Sequence, residues 1–532
     1  MALQSGRYTA AGPAVLAEGW TIDRLTPASR LFGANGLRTG PDGRIYVAQV
    51  SGSQISAIDV DTGAVEPISA MGGDIVAPDD LVFDPAGNLY VTEITEGRVS
   101  VREPNGRTRV IHGDIPVANP ITFHNGRLIA GECRIGGRIM ELDLNGGAPR
   151  VILADVPMPN AFEVGPDGRL YIPVMGANEI WRVSLDGGAP EVVARDLGVP
   201  DSVKFDAQGR IVSTQVHSGQ VLRIDPRSGE RTVLAQLTQG LDNVTFVGSR
   251  TFVSNISGYV TEILDGGQTR DLVPDGFNWP LGLAIDPDGQ IYVADGPFSY
   301  TLRPGQPREL IGMLFTQGYP GYARGVVAAG RGEFIVATAM GAVARYWPAQ
   351  QRSEVIASGL DPQLYGVALT PRGGVIVAEQ GQGRVLSVDG GQHEVLASGL
   401  REPSGVAVAA DGSVYVAEQA GGRVVKIAGG RADAALDGFV KPQGLAARGA
   451  LLYVVDAGAK TLIEFDTASG RRRTIASGLP VGAPAGVTPK FLGAIGTLSG
   501  PMGPFAGVTA GADGALYVSA DAEGSVLAVR PV

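Results

Sequence analysis

Twelve copies of one short phrase, four strand signals in each copy, and enough turn glycines to serve them all predict an all-β chain. It is expected to fold as two tandem six-bladed β-propellers. The phrase is a glycine turn followed by a short alternating strand. It runs PDGRIYVAQ, PAGNLYVTE, HNGRLIAGE, PDGRLYIPV, AQGRIVSTQ and VGSRTFVSN, then PDGQIYVAD, GRGEFIVAT, PRGGVIVAE, ADGSVYVAE, RGALLYVVD and ADGALYVSA. The turn positions are Gly43, Gly87, Gly126, Gly168, Gly209, Ser249, Gly289, Gly332, Gly373, Gly412, Gly449 and Gly514, spaced 37 to 44 residues apart except for the last gap of 65.

The four strands of one copy are clearest over residues 160–196. An inner strand at 161–164 meets the Pro-Asp-Gly turn, then come 170–174, 180–183, a Gly-Gly turn and 191–194. Asp-Gly and Gly-Gly pairs supply the positive φ that tight hairpins demand. Four antiparallel strands repeating about every 40 residues make a propeller blade. Twelve blades exceed the usual ring of four to eight, so two rings of six are expected. A chain of 532 residues also exceeds what one core supports. The last copy lacks a fourth strand. If 14–17 completes the sixth blade, 269–273 is free to complete the twelfth, which puts the boundary between residues 1–266 and 267–532.

Composition narrows the function classes. A net charge of −11 argues against nucleic acid, and the one basic run, Arg471 to Arg473, follows a turn and reads as a solvated strand edge. The single cysteine, Cys133, excludes an internal disulfide framework and a cysteine-based zinc site, and reads as a small core residue. The first twenty residues lack a basic start followed by an apolar run, and no stretch approaches a membrane span, so a cytoplasmic protein with a small-molecule substrate is expected. Oligomeric state leaves no mark in the sequence.

Chemistry concentrates on the first axis. The fourth-to-first and second-to-third loops share one face of a propeller, and the residue two places before each inner strand's first apolar position lies at the channel mouth. In the first six copies this residue is Asn35, Asp79, Asn119, Asn160, Asp201 and Asp242; in the last six it is Leu281, Arg324, Tyr365, Ser404, Gln443 and Ala506. Amide and carboxylate oxygens converging on an axis are the ligand set of a hard cation. Carboxylates packed so closely repel and raise one another's pKa, a cost that a divalent cation removes. The alternative is that each Asn or Asp caps its own entry turn.

With PMPNAFEVGPDG around Asn160, GVPDSVKFDAQG around Asp201, and VANPITF with NGRLIAGE around Asn119, residues 30–265 resemble the SMP-30/gluconolactonase/LRE family. The resemblance implies metal-dependent hydrolysis of a small lactone or ester. It implies a cation held by Asn160, Asp201 and the first-blade residue, with the third-blade Asn119 on substrate. Calcium is the first candidate, with magnesium or zinc as the others. The first-blade position is Asn35 where the family has Glu, and Asp79 or Asp242 could supply the missing charge. Asp201 would then be both metal ligand and base toward the attacking water. Asp79, Asp242, Glu132 and His217 are the further substrate-side candidates. The second half resembles the same superfamily and NHL-type repeats in fold only.

Glu93, Glu132, Glu379 and Glu418 each end a second strand and have an arginine five or six residues on, the pattern of an ion pair stitching the blade. The apolar, glycine- and proline-rich stretch over 480–506 reads as a plug for its own channel or as packing against the partner domain. A hydrophobic-ligand site anchored by Arg324 and Tyr365 is the alternative. Two other functions stay open beside the lactonase: a metal-assisted lyase, isomerase or cyclase, which the Asn35 departure keeps open, and a non-catalytic binding or scaffold protein.

Overall fold

The computed structural model describes residue 7, residues 12–274 and residues 276–532. Among these, twelve antiparallel sheets follow one another, eleven of four strands and one of five. In the first six, all four strands are consecutive in the chain, at 37–67, 78–112, 118–156, 163–194, 200–236 and 241–273. Each inner strand touches the next and the sixth touches the first, which closes a ring of six blades. Inner strands of the second six make the same cycle. The chain is therefore two six-bladed propellers.

The turn glycines explain the repeat. Gly43, Gly87, Gly168 and Gly412 all have φ between 74° and 84°, a left-handed conformation in which a Cβ is strained. In the degenerate sixth copy the left-handed residue is Gly248, next to Ser249. Alternation along the strands buries one face between adjacent blades: Val82, Tyr90, Val99 and Val101 of the second blade pack on Ile121, Leu128, Ala130 and Met140 of the third. Each valine, leucine, isoleucine or methionine among them contributes about 1.5–3 kcal/mol on burial.

Closure of the rings differs from the sequence expectation. Thr269–Val273 pairs with Val260–Ile263 and completes the sixth blade locally, across the Asp265–Gly267 turn. The twelfth blade is completed by Trp20–Arg24, paired with Ser525–Pro531, and Val15–Leu16 adds a fifth strand beside Arg472–Ser477. A strand next in sequence across a two-glycine turn pairs with its neighbour at little entropic cost. The twelfth blade instead takes the β-branched and aromatic stretch Trp20–Arg24, far away in the sequence. The division at 266/267 is corrected accordingly. One compact unit holds residues 30–275 with 488–497; the other holds the described residues up to Ser29 with 276–487 and 498–532.

The N-terminal ring closes without a shared strand. Arg250 of its sixth blade pairs with Asp61 of the first at 2.7 Å and donates to Val60 O at 2.7 Å, while Thr39 Oγ1 donates to Phe246 O at 2.6 Å. Of the long 480–506 stretch, residues 488–497 belong to the N-terminal unit. There a Cβ on Gly493 would stand 3.2 Å from Thr95 O, and one on Gly496 3.2 Å from Val117 Cγ2. Phe505, in the other unit, sits against Tyr365 with ring centroids 5.6 Å apart. No helix among the described residues is long and apolar enough to cross a membrane.

Candidate functional site

The inner strands of the N-terminal ring carry a shared distortion at the axis. The pairing register slips between Pro78 and Leu81, between Ala118 and Ile121, between Pro200 and Ser202, and between Leu241 and Val244. Such bulges re-aim side chains. Two residues before each axial Asn or Asp, the backbone turns left-handed: Gly33 (φ 76°), Ala77 (45°), Val117 (56°), Met158 (59°), Val199 (63°) and Gly240 (93°). At the equivalent places of the C-terminal ring only Glu402 does so, at 53°. A β-branched residue in this region is strained by about 1–3 kcal/mol, and such strain gathers at functional sites. Surrounding hydrogen bonds hold it: Cys133 N donates to Val117 O and Val216 N to Val199 O, both at 2.9 Å.

All six predicted axial residues are buried, none more than 8% exposed. Asn160 Nδ2 donates to Asp201 Oδ2 at 3.0 Å and lies 3.2 Å from Met175 Sδ. Across the ring, Asn35 Nδ2 donates to Asp242 Oδ2 at 3.2 Å, and Asn243 Nδ2 to Asp242 Oδ1 at 2.8 Å. Asn119 Oδ1 and Asp201 Oδ1 are buried without a hydrogen-bond partner. Asn160 Oδ1 accepts from the Ala161 amide at 2.8 Å, which is the turn-capping role weighed from the sequence.

Burial, with like charge added, suppresses ionisation here. Asp201 is held well above the usual carboxylate range by burial and by Asp242, Asp79 and Asp80. Asp79 is raised by burial and by Asp242 and Asp80. Asp242 is pushed up to about 7 by burial, against the stabilising bonds from Asn243 and Asn35. The Cys133 thiol is buried in the field of the same three carboxyls and is raised too. It belongs to the surroundings of this cluster as well as to the core.

A second layer, deeper along the inner strands, escaped the sequence reading. Arg38 Nη1 pairs with Glu163 Oε2 at 2.7 Å, Lys204 Nζ stands 3.3 Å from the same oxygen, and Thr122 Oγ1 donates to Glu163 Oε1 at 2.7 Å. Although burial alone would raise it, Lys204, Arg38 and the Thr122 hydroxyl bring Glu163 down to about 2. Asp80 accepts from the Leu81 and Ile121 amides at 2.8 and 3.2 Å. The signal was available: Arg38, Thr122, Glu163 and Lys204 each lie three residues past the axial position. The C-terminal ring has Ala284, Val327, Ala368, Ala407, Ala446 and Thr509 there.

Two predicted substrate-side residues fare differently. Glu132 is fully buried and both its oxygens are engaged, Oε1 by Arg138 Nε at 2.8 Å and Oε2 by Arg134 Nη2 at 2.9 Å. With no oxygen to spare it is a stitching residue, so its substrate-binding assignment is corrected. Glu93, Glu379 and Glu418 pair with Arg98, Arg384 and Arg423 in the same way. Each also accepts a loop amide, from Val76, Asp361 and Arg401. His217 is half-buried on the axial face, its amide donating to Gly198 O at 3.1 Å, and its ring makes no hydrogen bond or ion pair. Among the described residues, no three His, Cys, Asp or Glu side chains are grouped to hold a metal ion, so carboxamide oxygens would have to complete any ligand set.

No curated protein matches the chain. Among solved structures, it is similar to streptogramin B lyase, with 17% identity over 52% of this chain and 96% of that one at a TM-score of 0.39. Virginiamycin B lyase from Staphylococcus aureus gives 16%, 52%, 96% and 0.38, and a candidate gluconolactonase gives 18%, 50%, 99% and 0.39. The resemblance expected from Asn119, Asn160 and Asp201 is borne out: residues 21–253 match the SMP-30/Gluconolactonase/LRE-like region, and residues 277–301 match an NHL repeat.

Proposed function

We propose that the N-terminal propeller hydrolyses a small lactone or ester with the help of one divalent cation on its axis, calcium first, magnesium or zinc otherwise. The observation that carries this reading is the pair of buried, partnerless oxygens, Asn119 Oδ1 and Asp201 Oδ1, among three carboxyls whose ionisation is suppressed. Buried polar atoms are normally satisfied, so oxygens left bare on an axis call for a ligand. Asn160, Asp201 and Asn35 carry the carboxamide and carboxylate oxygens that hard cations take. The cation's chemistry when bound is that of a Lewis acid toward the substrate carbonyl.

The chain's own residues supply the rest. Asp201, ionised, accepts the proton of the attacking water through Oδ1. Asn119 Oδ1 is available to a substrate hydroxyl or amide. Asp79 and Asp242, whose protonated forms are favoured by burial and neighbouring carboxyls, donate a hydrogen bond or a proton to the leaving oxygen. The Arg38–Glu163–Lys204 network beneath holds the inner strands of the first, fourth and fifth blades in register. Asp242, at about 7, also favours a second reading, a lyase in which it protonates a leaving oxygen during elimination.

The test is a structure and a metal analysis of protein grown with calcium. One ion within about 2.3–2.6 Å of Asn160 and Asp201 oxygens, and none on the second axis, is the expected result. An empty first axis would leave these residues as turn caps.

A further inference from the structure

The C-terminal axis is built on a different plan. The residue after each axial position is glycine in all six blades: Gly282, Gly325, Gly366, Gly405, Gly444 and Gly507. A Cβ at any of them would come within 2.1–2.5 Å of the next inner strand's carbonyl oxygen, so the six strands close into a narrow backbone collar. Above the collar stands Arg324, 1% exposed, the largest fully buried side chain. Its Nη1 donates to Pro362 O at 3.3 Å, its guanidinium lies 5.0 Å from the Tyr365 ring, and its Nη2 is buried without a partner. The Tyr365 hydroxyl beside it is also buried without an acceptor, with the Gly503 amide near.

Among the described residues, no carboxylate is within ion-pair reach of Arg324. The nearby acids are committed elsewhere: Asp361 accepts from Gln363 N at 2.7 Å, and Asp295 from the Asn278 and Trp279 amides at 3.1 and 2.5 Å. A guanidinium buried without a counter-charge is costly, and the usual remedy is a paired anion. Tyr365, over whose ring the Arg324 guanidinium lies, borders open space. A cavity of 40 Å³ at the collar touches Tyr365 and Phe505. It adjoins one of 220 Å³ below, walled by Leu283, Val326, Val367, Val406, Leu445 and Val508. No charged side chain lines that lower cavity, which holds about seven groups of water size at about 30 Å³ each. It shares Ile285, Ala328, Ala447 and Ala510 with a wider mouth of 770 Å³ on the opposite face.

We propose that the axis of the C-terminal propeller binds an aliphatic monocarboxylate. Its carboxylate pairs with the Arg324 guanidinium and accepts from the Tyr365 hydroxyl, and its hydrocarbon body lies in the axial cavity. Planar, forked donation suits Arg to carboxylate. The site is independent of the chemistry proposed for the N-terminal ring.

Titration calorimetry of the full chain with sodium octanoate, with octan-1-ol as the uncharged probe and sodium acetate as the bare headgroup, tests this. Octanoate is expected to bind saturably at one site, at least about tenfold more tightly than octan-1-ol and than acetate. Arg324→Gln should weaken octanoate at least about tenfold and leave octan-1-ol unchanged, and Tyr365→Phe should weaken octanoate less. Should Arg324→Gln fail to fold, Arg324→Lys keeps the charge and loses the fork, and a several-fold loss with octanoate is expected from it. Absence of saturable octanoate binding to the wild-type chain overturns the proposal. So does equal affinity for octanoate and octan-1-ol, or octanoate binding indifferent to every Arg324 and Tyr365 variant.

Discussion

Asn160 Nδ2 and Asp201 Oδ2, from adjacent blades, are joined by a 3.0 Å hydrogen bond, while the other oxygen of Asp201 is buried with no partner. Half of this carboxylate is satisfied by the protein and half is left for something else. Asp201→Asn removes the charge and the base but keeps the shape. The fold should survive with an unchanged or higher thermal midpoint, because a carboxyl in a repelling cluster has been neutralised. Turnover of a confirmed lactone should fall at least about 10²-fold, the scale of a lost general base. Near wild-type turnover would reduce Asp201 to a capping role.

The pH dependence follows from Asp242, whose folded value of about 7 lies above the ordinary 3.8. Between those values the folded, metal-free chain keeps a proton that the unfolded chain releases. Its stability on this account is fully present at about pH 4 and below, and declines as pH rises towards 7. Asp201 and Asp79, raised in the same direction, extend the trend. Calcium must displace these protons, so the midpoint gain from adding calcium to chelator-treated protein should grow from pH 5 to pH 8. Thermal melts at fixed ionic strength read it directly; a gain that is flat or shrinks with pH contradicts the assignment.

Val199, left-handed at φ 63° and two residues before Asp201, stores strain that glycine would not. Val199→Gly should relieve about 1–3 kcal/mol of backbone strain and give back about 0.5–1 kcal/mol in chain entropy, a net gain of up to about 2.5 kcal/mol. The same freedom loosens the aim of Asp201, so calcium affinity and turnover should drop as stability rises. Urea melts beside calcium titrations check both halves. A variant that loses stability would mean that the half-buried valine side chain matters more than its φ.

The 480–506 stretch carries Leu492, Met502 and Phe505, which are 1%, 2% and 5% exposed. Bridging Leu479 to Gly507 with a short Gly/Ser linker removes all three, and a fall in thermal midpoint of several degrees is expected, with a smaller effect on the chemical step. A variant equally stable but inactive would make residues 488–497, where Gly496 lies beside Val117, part of the working site.

How much of this could be read in advance divides along the distance over which each feature is determined. Turn glycines, strand alternation and the twelve-fold period are local, because a positive φ or a buried face imposes itself on the residues that adopt it. They predicted the blades and the two rings. The six axial Asn and Asp positions followed from that period, and the structure buries all of them together. The Glu–Arg stitching was legible for the same reason, its partners being cross-strand neighbours.

Ring closure was decided by the tertiary structure. Thr269–Val273 and Trp20–Arg24 are both competent strands, and only the geometry of the finished rings assigns one to the sixth blade and the other to the twelfth. The left-handed turns at Val117 and Val199 carry no sequence mark, since nothing in a valine predicts positive φ. Whether Asp79, Asp201 and Asp242 repel, and whether Arg324 lacks a counter-charge, depends on what surrounds each group in three dimensions. Burial and neighbouring charge set those energies, and both come into being only when segments far apart in the chain are brought to one axis.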